Sequence, residues 1–99
     1  MNAVEMLQQE MRAAAERGPK PVSGEGQNLL AARCYLELAW GQVEGAIGVD
    51  EFADGKIPPP GSEWPWGIEE WDPHVLAKVN VKKAAGLLAG EWERLQRLG

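Results

Sequence analysis

The 26 residues from Gly48 to Pro73 contain five prolines and four glycines. Proline fixes φ and has no amide donor, and glycine gives up the most backbone freedom on ordering. Neither a continuous helix nor a central strand can run through such a stretch. Regular structure must therefore be built on either side, with this segment as the connection. Structureless connections of this length are uncommon in small domains unless they are packed down or functional. Three of the five tryptophans, Trp64, Trp66 and Trp71, lie in its second half, PPPGSEWPWGIEEWDP. The rings are large apolar anchors, and the prolines lower the entropy of the unfolded chain. The expectation is that Trp64 and Trp66, on opposite sides of Pro65, pin the second half to the rest of the protein and point to different sides. Phe52 and Ile57 are further anchors, and Val49 to Lys56 is expected to stay looser.

Both flanks read as helices. Asn2 with Glu5 three positions on is a cap-like pair. Val4, Leu7, Met11 and Ala14 then recur at helical spacing until Gly18-Pro19, which predicts a helix over Ala3 to Arg17 lying against a partner helix. Gly18 to Asn28 is a loop. From Leu29 a second helix carries one row of Leu29, Ala32, Leu36, Trp40, Val43 and Ile47, and a second of Leu30, Cys34 and Leu38. A helix apolar over so much of its circumference is expected to be the buried one, with its end blurred by Gly41, Gly45 and Gly48. The last helix is marked by Val81, Ala85, Leu88, Trp92 and Leu95, widened by Ala84, Leu87 and Leu98. Its start is open between Asp72-Pro73 and Asn80. No segment alternates long enough for a sheet. The fold expected is all-α, a single helical domain over residues 1–99 formed as a small three- to four-helix bundle with a long Pro/Trp-rich loop.

The composition, 44% hydrophobic and 25% charged, is that of a globular chain. No apolar run reaches the length of a membrane span, and the N-terminus lacks the pattern of a secretion signal. With one cysteine, Cys34, and one histidine, His74, neither an internal disulfide nor a thiolate zinc site can form. These features predict a cytoplasmic protein without a membrane partner. The net charge is −5, and its placement is uneven. Residues 48–73 hold seven acids (Asp50, Glu51, Asp54, Glu63, Glu69, Glu70 and Asp72) against Lys56 alone, while the other residues carry eight acids and nine bases. A chain so charged is not expected to bind nucleic acid directly, since phosphates need a basic face.

Chemistry is sparse. The glycines of SGEG and GAIG fit no phosphate loop or dinucleotide turn. Ser23 or Ser62 with His74, and Cys34 with His74, are the only nucleophile pairs, and nothing in their spacing supports catalysis. Glu37 and Glu44, seven apart on one face of the second helix, with Glu91 able to approach from the last helix, are the one carboxylate set that could hold Mg²⁺, as in all-α nucleotide hydrolases. The close-spaced acid pairs of those enzymes are missing here, and solvated helix faces are the stronger reading. No cofactor, metal or catalytic residue is expected.

The runs LLAARCYLELA, EWPWGIEEW and KKAAGLLAGEWERLQR, spanning roughly residues 28 to 98, resemble a group of small phage and prophage accessory proteins. These share an alanine-rich helix with a tyrosine, a Trp-Pro segment and a closing lysine-alanine-leucine helix. Relatives in that group tend to be rich in lysine and arginine after the last tryptophan of the cluster, where this chain reads WDPHVLAKV. The resemblance implies a phage-encoded protein in the host cytoplasm and carries no catalytic residues. Together with the acidic segment it looks like an inhibitor of a host defence complex, of the anti-CRISPR or DNA-mimic kind. In that reading Asp50, Glu51, Asp54, Glu69, Glu70 and Asp72 face a basic surface of a host protein or ribonucleoprotein, and Trp71 either supplies an apolar anchor there or joins Trp64 and Trp66 in fastening the segment. The alternative is a phage structural or regulatory protein that self-associates through its helices, and the chain is expected to be a monomer or a dimer.

Overall fold

Asn2 caps the first helix as its spacing suggests, the Glu5 N–H donating to Asn2 Oδ1 at 2.8 Å. In the computed structural model, residues 1–17, 26–53, 57–59 and 64–98 are described. Among them the chain forms α1 (Ala3–Arg17), α2 (Gln27–Val43), α3 (Asp50–Ala53), a 3-10 turn (Ile68–Glu70) and α4 (Ala77–Leu98), with no strand. The architecture is all-α.

α4 is the central element. α2 packs along one side of it and α1 along another, and no Cα of α1 comes within 8 Å of one in α2. The Glu10–Lys82 contact at 3.7 Å tethers α1 to the start of α4. Helices arranged on a shared central one make a flat molecule, with Cα extents of 43 × 31 × 19 Å. The core lies between α2 and α4, where Ala32, Cys34, Tyr35, Leu38, Trp71 and Ala84 are buried, and Ile47, Phe52, Ile57, Trp64 and Leu87 close around them.

This placement corrects the expectation that α2 is buried. Only its face of Ala31, Ala32, Cys34, Tyr35, Leu38 and Ala39 is covered, while Leu29, Leu30, Leu36, Trp40 and Val43 are exposed. The small residues of α2 go inward because they let α4 approach closely, and the large ones are left at the flanks.

After α2 the chain reverses at Gly45, whose φ of 82° lies in the left-handed region that glycine enters without a Cβ clash. The N–H groups of Ala46 and Ile47 both donate to the Gly41 carbonyl. The Ile47 side chain lies so near Gly41 that a Cβ there would meet its Cδ1 at 2.7 Å. Of the segment expected to stay looser, Asp50–Ala53 forms α3 and half-buried Phe52 packs on the core, while residues 54–56 lie outside the described ones.

α4 begins at Ala77, four residues before Val81, and Asn80 is not its cap. Asn80 is fully buried within the first turn. Its Nδ2 donates to Gln42 Oε1 and to the His74 carbonyl, both at 2.8 Å, and its Oδ1 accepts the His74 N–H at 2.9 Å. Gln42 completes the clamp by donating to the carbonyls of His74 and Val75. Every buried polar atom in this network has a partner, as burial requires. The network ties the backbone of His74 and Val75 to both α2 and α4.

Candidate functional site

Trp71 decides what the tryptophan-rich segment does. Its side chain is 0% exposed. The indole stacks on Tyr35 at 4.7 Å between centroids and meets the edge of Trp64 at 5.0 Å. Its Nε1–H donates to the Ile57 carbonyl at 2.6 Å. Of the two roles open to Trp71, partner anchor and fastening, burial rules out the first and the ring belongs to the fastening. An indole can bury fully when its one donor finds an acceptor, and the Ile57 carbonyl is that acceptor.

Trp64 and Trp66 are both half-buried and do fasten the segment, though not by pointing apart. Their rings meet edge to face at 5.4 Å, because the chain bends at Trp66 and does not continue extended through Pro65. Trp64 also meets the edge of Tyr35 at 5.8 Å and donates its Nε1–H to the Gly67 carbonyl at 3.0 Å. Trp66 Nε1 donates to Gln27 Oε1 at the start of α2, at 3.1 Å. Tyr35 is thus the hub of the cluster. Its hydroxyl accepts the Asp72 N–H at 3.0 Å, and burial, the largest influence on it, pushes the phenol above its ordinary pKa.

The acids sit on this rigid frame. Glu69 and Glu70 occupy the 3-10 turn immediately before Trp71 and are exposed. Asp72 follows, its side chain 82% exposed, with Lys83 bridging to its Oδ2 at 2.7 Å and to its backbone carbonyl. The same ammonium stands 5.6 Å from the Tyr35 ring centroid. Asp72 is therefore partly neutralised by its own chain. Asp50 and Glu51 are exposed on α3, and no Cα of α3 lies within 8 Å of one in the 3-10 turn. The expected acids thus form two groups, Asp50 with Glu51 and Glu69 with Glu70 and Asp72. Asp54 lies outside the described residues.

The carboxylate set suggested for a metal is dispersed. Glu37 pairs with Arg33 at 2.9 Å, Glu44 accepts the Trp40 Nε1–H at 2.8 Å, and buried Glu91 pairs with Arg94. Among the described residues no group of three metal-ligating side chains forms. Cys34 is buried in the core. His74 is half-buried ahead of α4, and its Nδ1 accepts the Leu76 N–H at 3.0 Å. Ser23 and Ser62 lie outside the described residues.

Sequence reasoning missed Asn80, Gln42 and Tyr35. Asn80 had a visible signal, since it shares the inward phase of Ala84, Leu87 and Glu91 at steps of four, three and four. Comparison of the chain with protein-family models, with curated proteins and with solved structures finds no match. Among the described residues no helix is long and apolar enough to cross a membrane.

Proposed function

We propose that this chain is a non-enzymatic protein-interaction module whose acidic edge docks on a basic protein surface of the kind built for nucleic acid. The supporting observation is the burial of Trp71 directly behind Glu69 and Glu70. With Trp71 locked under Tyr35 and Asp72 tied to Tyr35 and Lys83, the 3-10 turn holds its carboxylates in a set position before any partner arrives. Ordering the display in advance removes an entropic cost from binding, and complementary charge speeds encounter. The resemblance to phage accessory proteins supports an inhibitor of a host defence complex as its biological form.

The test is affinity capture from bacterial lysate at low salt, comparing the wild type with Glu69→Lys/Glu70→Lys. The wild type should recover a nucleic-acid-binding protein or complex that free DNA displaces, and the double reversal should lose it while circular dichroism stays unchanged. Equal recovery by the reversed protein overturns the proposal. The second reading, self-association through helices, is favoured by a separate observation, an open apolar face on α4.

A further inference from the structure

α4 turns one face to α2 and leaves another open. Val81, Ala85, Leu88, Trp92 and Leu95 succeed one another at steps of four and three, the spacing of a helix-pairing seam. Ala85, Leu88, Ala89, Trp92 and Leu95 floor a groove of about 570 Å³, with Leu7 of α1 and Leu29 of α2 as its walls. Among the described residues its one charged lining residue, Glu91, is buried and held by Arg94. Leu7, Leu29, Leu88 and Leu95 are each close to half exposed, and Trp92 is 58% exposed.

We propose that a second copy of this chain covers the groove, with the two α4 helices antiparallel across a two-fold axis near Leu88 and Ala89. The inference goes beyond the acidic-edge reading and does not depend on it. Three observations favour a second copy over an unrelated partner. The first is area. At roughly 32 Å² per aliphatic carbon and up to about 250 Å² per indole, the exposed parts of these five residues, with Val4 and Val81 at the ends, come to roughly 480 Å² of apolar surface. A homodimer interface of about 800 Å² per partner, about 65% apolar, needs roughly 520 Å².

The second observation is shape. In a two-fold interface each residue meets its counterpart's complement. An axis midway between Leu88 and Ala89 sets Trp92 of each copy over Ala85 of the other, and Leu88 over Ala89. Large side chains then face small ones at the centre of the seam, with Leu95 over Lys82 and Val81 over Gln96 at its ends. The third is charge. The described residues of 48–73, where the negative charge is concentrated, contribute nothing to the groove. Asp50, Glu51, Glu69, Glu70 and Asp72 therefore do not line the face that a twin would cover.

Sedimentation velocity from about 1 to 200 µM tests the proposal, a range that brackets a dissociation constant in the micromolar region. The mass should rise from 10.8 kDa to twice that value. Trp92→Glu and Leu88→Lys should each weaken the dimer at least about 30-fold with helix content retained, and Glu69→Lys/Glu70→Lys should dimerise like the wild type. Orientation is read by oxidative cross-linking. Ala89→Cys, beside the axis, should couple to its own counterpart, whereas Leu95→Cys, about 20 Å from its counterpart along the helices, should not. A wild type that stays monomeric over the whole range overturns the proposal, as does a dimer that survives both seam substitutions. Cross-linking of Leu95→Cys as fast as Ala89→Cys overturns the antiparallel arrangement.

Discussion

Replacing Trp71 by alanine should remove a large part of the stability of this protein. The ring is fully enclosed. A buried indole removes about 150–250 Å² from water, worth about 4–6 kcal/mol at about 25 cal/mol per Å², and tryptophan-to-alanine changes in cores cost about 3–5 kcal/mol. Domains of this size are stable by only about 5–15 kcal/mol, so the variant should be marginal. Trp71→Phe divides the effect. It keeps an aromatic ring on Tyr35 but strands the Ile57 carbonyl that now accepts the indole N–H. An orphaned buried acceptor costs about 1–3 kcal/mol. Trp40→Ala is the control, because Trp40 is 67% exposed and should lose under about 1 kcal/mol. Urea unfolding followed by far-ultraviolet circular dichroism measures all three without relying on tryptophan emission. If Trp71→Ala falls within about 1 kcal/mol of Trp40→Ala, Trp71 is not the keystone of the core, and the rigid presentation of Glu69 and Glu70 loses its basis.

Three further outcomes follow from the geometry. Asn80→Ala removes the clamp on His74 and Gln42 and should cost about 2–4 kcal/mol in urea unfolding, from lost bonds and unpaired buried groups. Tyr35→Phe should lower stability by about 1 kcal/mol at neutral pH and also change the alkaline profile. The Tyr35 pKa is raised in the folded state, so its protonated form contributes fully below the unfolded value near 10, and that contribution is lost as pH rises through the folded value. The gap between wild type and Tyr35→Phe should therefore narrow above about pH 10, and a gap that widens there would refute the assignment. Gly45→Ala should cost about 1–2 kcal/mol from backbone strain alone, since no atom lies within 4 Å of the Cβ it would add; thermal unfolding measures it.

The parts of the fold legible in the sequence are those that one helix decides by itself. The cap at Asn2, the extent of α1 and the apolar rhythm of α4 are local periodicities, and the structure has them where the spacing puts them. The fastening role of Trp64 and Trp66 was legible too, because a Pro-rich segment has few other ways to be held. What α2 buries was not. Leu29, Leu36 and Trp40 are as apolar as Leu38, and only the position of α4 decides which side is covered. The role of Trp71 stayed open for a related reason. Its acid neighbours Glu70 and Asp72 suggest a surface, but a side chain can turn inward from a polar stretch if its N–H has somewhere to go, and the Ile57 carbonyl is fourteen residues away in sequence. Of the acidic edge, the residue types were legible and their division into two groups was not, since that follows from the path of the chain between α3 and the 3-10 turn.

Among the described elements α1 packs on α4 alone, and this carries a dynamic consequence. Opening free energies differ across a protein, and elements with one packed neighbour open first. Among the described residues, the core of α2, α4 and the tryptophan cluster contains none from α1, so α1 can detach without disturbing it. Native-state hydrogen exchange should then find the amides of residues 7–17 exchanging through a partial opening, well below the free energy that protects Leu38 and Ala84. Such an opening would leave Leu29, Leu88 and Trp92 in place while removing Leu7. The first helix would act as a movable wall, and its docking would tune how tightly the open face of α4 holds whatever covers it.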